Sequence, residues 1–116
     1  MSKKINPEIR NFIYNKYEGK CAYCGIKLSN ATFTIDHIIA KSKGGRNQIS
    51  NYNPSCGSCN SSKATFHLED WRLYLRNKIH IIRRDNSNFR FLEKFNLVEF
   101  KEDAIVEFYF EYYEQA

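Results

Sequence analysis

All four cysteines of this 116-residue chain fall in Cys-x-x-Cys pairs, Cys21/Cys24 and Cys56/Cys59, with 31 residues between the pairs. This limits the fold more than any other feature. Two thiolates three positions apart can grip one tetrahedral ion, and two such pairs supply the four ligands of a structural zinc. The alternative is a disulfide or two unrelated pairs. The spacing favours zinc, and a shell of four thiolates leaves no open position for chemistry on that ion. Such a staple suits a single domain of this size, whose own core is modest. It closes a long excursion, and within it stands Asp36-His37.

The charge is uneven. The net is +5, but residues 1–63 carry 10 Lys and Arg against 3 acids, while residues 64–116 carry 8 against 10. The cations gather around the cysteines and His37, where a phosphate backbone would bind. Nothing at the N-terminus reads as a secretory leader, and no apolar run reaches the length of a membrane span. A cytoplasmic protein without a membrane partner is expected.

Residues 6–18 read as a helix, with Asn6 as cap, Pro7 at the first position, and Ile9, Phe12, Ile13 and Tyr17 on one face. Thr32–Ile35 reads as a strand ending at Asp36-His37. Residues 40–47 read as a flexible basic loop whose Lys41, Lys43 and Arg46 meet phosphates. Ile49–Asn53 reads as a second strand ended by Pro54, and a helix begins near Cys56. Leu68–Arg84 is a long helix striped by Leu68, Trp71, Leu75, Ile79 and Ile82; Arg72 and Arg76 on another face are candidate nucleic-acid contacts. Residues 89–100 are too densely apolar to assign. From about Glu102 to Glu114 an acidic, aromatic helix is expected, suited to covering the core or forming a homodimer.

His37 can act as a general base near neutral pH, and Asp36 and Asn60 are hard oxygen donors suited to Mg²⁺ or Mn²⁺. A base for water and a cation for the phosphate are what phosphodiester hydrolysis needs. At this point the order of motifs resembles the HNH endonuclease family, the ββα-metal nucleases, in the form with two zinc-binding pairs. The matching stretches are Cys21-Ala22-Tyr23-Cys24-Gly25, Ile35-Asp36-His37-Ile38-Ile39, Ser42-Lys43-Gly44-Gly45, Ser50 to Cys56, and Cys59-Asn60-Ser61-Ser62-Lys63.

The resemblance implies an α+β fold with a ββα-metal core, acting on DNA, most simply double-stranded, to leave 3′-hydroxyl and 5′-phosphate ends. It implies His37 as general base, Asp36 and Asn60 as ligands of one divalent ion, Asn51 tying down the loop and orienting the base, and Lys63 near the scissile phosphate. Ala40 stands where many members have proline, and Asn60 where many have histidine. His67 is close enough in sequence to be a substitute ligand, though a peripheral place is expected for it. The expected organisation is one domain over 1–116, with an N-terminal helix (1–20), a stapled core (21–63) and a helical extension (64–116). The competing reading is a zinc-stabilised nucleic-acid-binding or interaction module without catalysis.

Overall fold

The computed structural model describes residues 5–101 and 103–115. The elements are α1 (Pro7–Asn15), β1 (Thr34–His37), β2 (Tyr52–Ser55), α2 (Gly57–Lys63), α3 (Leu68–Asp85), α4 (Ser87–Lys94) and α5 (Tyr109–Gln115). The strands form one antiparallel ribbon in which Thr34 faces Ser55, Ile35 faces Pro54, Asp36 faces Asn53 and His37 faces Tyr52. With α2 following at once, this is the expected α+β ribbon-and-helix order. Among the described residues, no helix is long and apolar enough to cross a membrane.

The chain forms two compact units. One runs to Leu68 and takes in the chain again from Glu107, and the other is Glu69–Val106. The stretch after residue 64, expected as one extension, is thus divided between them.

In the first unit, Asn6 caps α1 by accepting the Glu8 N–H at 2.7 Å. Ile13 and Tyr17 are buried, but Phe12, expected beside them, is 60% exposed. Tyr14 takes over that flank: its hydroxyl donates to the Leu28 carbonyl and its ring tilts against Phe33 at 5.4 Å. Arg10 donates to the Phe33 carbonyl at 2.6 Å, and Lys16 to the Tyr52 carbonyl and the Asn53 side chain. These cations hold the helix to the ribbon.

The first strand begins and ends two residues later than the sequence suggests, so Asp36 and His37 lie within it. Residues 49–51 form a 3-10 turn, and the second strand runs through Pro54 instead of stopping there. A proline is admissible because a two-stranded ribbon consists of edges only. The Pro54 carbonyl accepts from Ala22 N–H at 2.9 Å and ties the first cysteine turn to the ribbon.

The basic loop is also more ordered than expected, containing a 3-10 turn at Lys41–Lys43. Gly45 packs so tightly that a methyl group there would stand 1.7 Å from the Ile39 carbonyl oxygen.

In the second unit, α3 matches its expected span and Trp71 is buried, while Leu75, Ile79 and Ile82 are only half-buried. The ambiguous stretch resolves into α4, whose N-terminus Asn86 caps through the Phe89 N–H.

The tail helix is shorter than expected. It begins at Tyr109, Glu102 lies outside the described residues, and residues 103–108 are not helical. The side chain of Glu114, expected on its acidic side, is likewise outside them. Of its expected apolar side, Phe108 is buried and Tyr113 meets the Tyr17 ring edge-on at 5.2 Å, while Ile105 and Tyr112 are exposed.

Burial separates two neighbours on α1. Ile13→Ala is expected to cost about 3 kcal/mol, the usual loss for emptying a core isoleucine. Phe12→Ala should cost under about 1 kcal/mol. Urea unfolding of both variants checks the difference.

Candidate functional site

The site starts from the cysteines. Gly25 takes φ +79°, a left-handed conformation a side chain resists, and lets the chain turn back after Cys24. Cys56 caps α2, its sulfur accepting the Cys59 N–H at 3.4 Å, and Cys21 sulfur accepts the Tyr23 N–H at the same distance. The four sulfurs lie within 4.8 Å of one another, and Cys24 and Cys56 are 3.8 Å apart. Four sulfurs at zinc-bonding distance stand about 3.8 Å apart at the corners of a tetrahedron. The donor set therefore fits a structural zinc. Burial, first, raises the thiols of Cys59 and Cys24 above the ordinary range. Burial also acts upward on Cys56, but hydrogen bonds from Ser58, Cys59 and Cys24 outweigh it and bring that thiol down to about 7.

Beside the cluster lies a buried polar knot. Asp36 is almost wholly enclosed, and Lys63 is 0% exposed. The Lys63 ammonium reaches Asp36 Oδ2 at 3.1 Å and donates to the His37 carbonyl at 3.0 Å. Tyr23 donates its hydroxyl to the same Asp36 oxygen at 2.5 Å and accepts from Asn53 at 3.4 Å. Burial, then the Asp36 charge, hold the Tyr23 phenol far above its ordinary range, so it remains a donor. Lys63 is expected at a phosphate from its place in the sequence. In the structure its charge is enclosed and spent on Asp36, which needs a counter-charge at that depth.

His37 lies on the other side of the ribbon from Asp36, as adjacent strand residues do. Its ring is half-buried, edge-on to Tyr52 at 5.1 Å. Nε2 lies 2.8 Å from Asn47 Oδ1. An amide oxygen only accepts, so Nε2 is the donor of this bond, and in the neutral ring that leaves the lone pair on Nδ1. His37 opens into a groove of about 890 Å³ lined also by Ile35, Asn47, Ile49, Arg10 and Lys41.

Asn51 is buried and closes the basic loop through three bonds. Its side chain accepts from Ile39 N–H at 2.9 Å and donates to the carbonyls of Ile39 and Arg46, both at 3.0 Å. Its own carbonyl accepts from Ile38 N–H. Lys41, Lys43 and Arg46 lie on that loop, Lys41 and Lys43 exposed and Arg46 likewise. Asn60 is half-buried on α2, one turn before Lys63. His67 is exposed.

In the second unit, Arg72 is bound to Glu69 and the Val106 carbonyl, while Arg76 is exposed. Arg83, on the same helix, pairs with Glu93 at 2.7 Å. Sequence reasoning assigns no role to Tyr23 or Asn47. Tyr23 has a signal, a polar-tipped aromatic fixed between two ligands. Asn47 has none, because its meeting with His37 depends on the loop's path.

Two outcomes follow. Zinc uptake by the metal-free protein at pH 7 should release about two protons or more, since the raised thiols of Cys24 and Cys59 hold theirs until the ion displaces them; a weakly buffered titration measures this. Lys63→Met should destabilise the fold by about 3–5 kcal/mol by stranding a buried carboxylate, read from urea midpoints.

Comparison with known proteins agrees with this geometry. Residues 21–72 match the model of the HNH endonuclease family. The SPbeta prophage-derived protein YoqL of Bacillus subtilis (strain 168), whose name places it among the HNH endonucleases, is 38% identical over 66 residues. That match covers 47% of this chain and 27% of YoqL. The crystal structure of the Type II-C Cas9 enzyme from Actinomyces naeslundii superposes with a TM-score of 0.54 at 25% identity, over 63% of this chain and 9% of that one. The chain thus spans only a small part of either relative's length. Within that part the resemblance holds: residues 21–72 are similar to the HNH endonuclease family.

Proposed function

We propose that the protein is a metal-dependent endonuclease that hydrolyses DNA phosphodiester bonds. The observation that carries this reading is His37: a half-exposed imidazole with its Nε2 proton fixed on Asn47, opening into a groove beside exposed cations. Its free Nδ1 is the nitrogen that takes a proton from water. Asn51 holds the loop that presents Asn47, so its role in orienting the base is indirect. Lys41, Lys43 and Arg46 hold the phosphate backbone.

Asp36 and Asn60 are the residues to hold a divalent ion, Mg²⁺ or Mn²⁺. Asp36 Oδ1 has only a long 3.4 Å contact with Lys63, and the Asn60 side-chain amide has no hydrogen bond among the described residues. An oxygen-only pair of this kind suits a hard ion. Such an ion would supply charge neutralisation at the phosphate and the leaving oxygen. Lys63, whose ammonium already contacts Asp36, adds fixed positive charge beneath that position without leaving the interior.

One observation favours a second reading, a non-catalytic DNA-binding module: Asp36 Oδ2 is already engaged by both Lys63 and Tyr23. A plasmid-nicking assay with Mg²⁺, Mn²⁺ or EDTA separates the two. Metal-dependent nicking is expected, and its loss in His37→Ala with DNA binding and zinc content retained. Nicking that survives His37→Ala would remove the imidazole from the mechanism. Binding by His37→Ala protein should also weaken with salt, and replacing Lys41, Lys43 and Arg46 with alanine should flatten the log-log slope by roughly 3, about one unit per phosphate contact.

A further inference from the structure

We infer that Tyr23 is a positioning residue for Asp36, held in place from both sides by the zinc cluster and the C-terminal segment. The inference rests on the reading of Asp36 as a ligand of the divalent ion.

The phenol reaches Asp36 Oδ2 at 2.5 Å, and Asn53, which faces Asp36 across the ribbon, donates to the same phenol oxygen. The hydroxyl is thus oriented as well as enclosed. It takes up one oxygen of the carboxylate, which leaves Oδ1 with only the long 3.4 Å contact to Lys63. Lys63 alone would not fix the rotamer in this way, because its ammonium approaches both Asp36 oxygens, at 3.1 and 3.4 Å.

The backbone of Tyr23 has little freedom to move. It lies between two cysteine ligands, and its N–H is bonded to Cys21 sulfur. From the other side the distant segment beginning at Glu107 closes over it. Tyr109 N–H donates to the Tyr23 carbonyl at 2.9 Å and Phe110 N–H to the Ala22 carbonyl at 2.8 Å. The rings of Phe108 and Phe110 meet the Tyr23 ring edge-on at 5.7 and 6.3 Å. The segment making this contact lies beyond residues 21–72, the stretch that matches the family. The C-terminal segment therefore serves the site as well as the core: it keeps the phenol aimed at Asp36.

The test compares full-length, zinc-loaded Tyr23→Phe, Phe110→Ala and Asp36→Ala proteins with the parent. Mn²⁺ affinity is read from the free-ion signal in electron paramagnetic resonance, with zinc content and thermal midpoint measured alongside. Tyr23→Phe removes one oxygen and keeps the ring, so zinc content should be unchanged. Mn²⁺ binding should weaken about tenfold in Tyr23→Phe and by a smaller factor in the same direction in Phe110→Ala. Asp36→Ala should abolish it. A structural role alone would lower the midpoint without changing ion affinity in the folded protein. Unchanged Mn²⁺ affinity in Tyr23→Phe, with binding lost in Asp36→Ala, overturns the positioning role and leaves the ligand reading standing. Mn²⁺ binding that persists in Asp36→Ala overturns both, through the ligand reading.

Discussion

Four sulfurs gathered within 4.8 Å of one another are the constraint on which the rest of the first unit depends. Ionised thiolates at that separation repel, and protonated ones bond to each other only weakly, so the cluster needs a cation to be worth forming. Once closed, it fixes both ends of a long excursion. The first pair sets Tyr23, and the second starts α2, which carries Asn60 and Lys63. The ribbon between them presents Asp36 to the interior and His37 to the groove. The cysteine cluster thus helps set where Asp36 and His37 stand.

On the other face of the ribbon is a second dependence. A carboxylate removed from water is tolerable only with charge and hydrogen bonds to match. Asp36 has both, from Lys63 and Tyr23. The arrangement links three pieces of chain that are far apart in sequence: the first cysteine turn, the first strand and the end of α2. It is an interior ion pair whose value is geometric, since it holds an acidic side chain in one place next to His37.

Much of this is legible in the sequence. The cysteine pairs, the Asp36-His37 pair and the following basic loop announce themselves by residue type and order, and the two strands and the helix near Cys56 lie within a few residues of where pattern puts them. What escapes detection has physical causes. Pro54 reads as a strand's end because proline withholds a donor, yet an edge needs no donor there. Phe12 fits the helical spacing of its neighbours, but the supporting surface ends at Ile13 and Tyr17. The resemblance puts Lys63 near a phosphate, and only the depth of Asp36 explains its burial. The partnership of Asn47 with His37 depends on how the Asn51-pinned loop folds back, which no periodicity encodes. The expected long tail helix starts only at Tyr109, directly after the buried Phe108.

The division of the chain into two units has an architectural consequence. The first unit is interrupted after Leu68 and resumes at Glu107, so Glu69–Val106 is a guest in the sequence of its host. Such a guest can vary in length and composition while the host keeps both of its halves, as long as its two ends return the chain to Tyr23. A lineage could exchange that insert wholesale and still inherit the metal cluster, the ribbon and the clamp together. The opposite edit, trimming the chain at the close of the family-matched stretch, would keep every motif and discard the segment that packs against them.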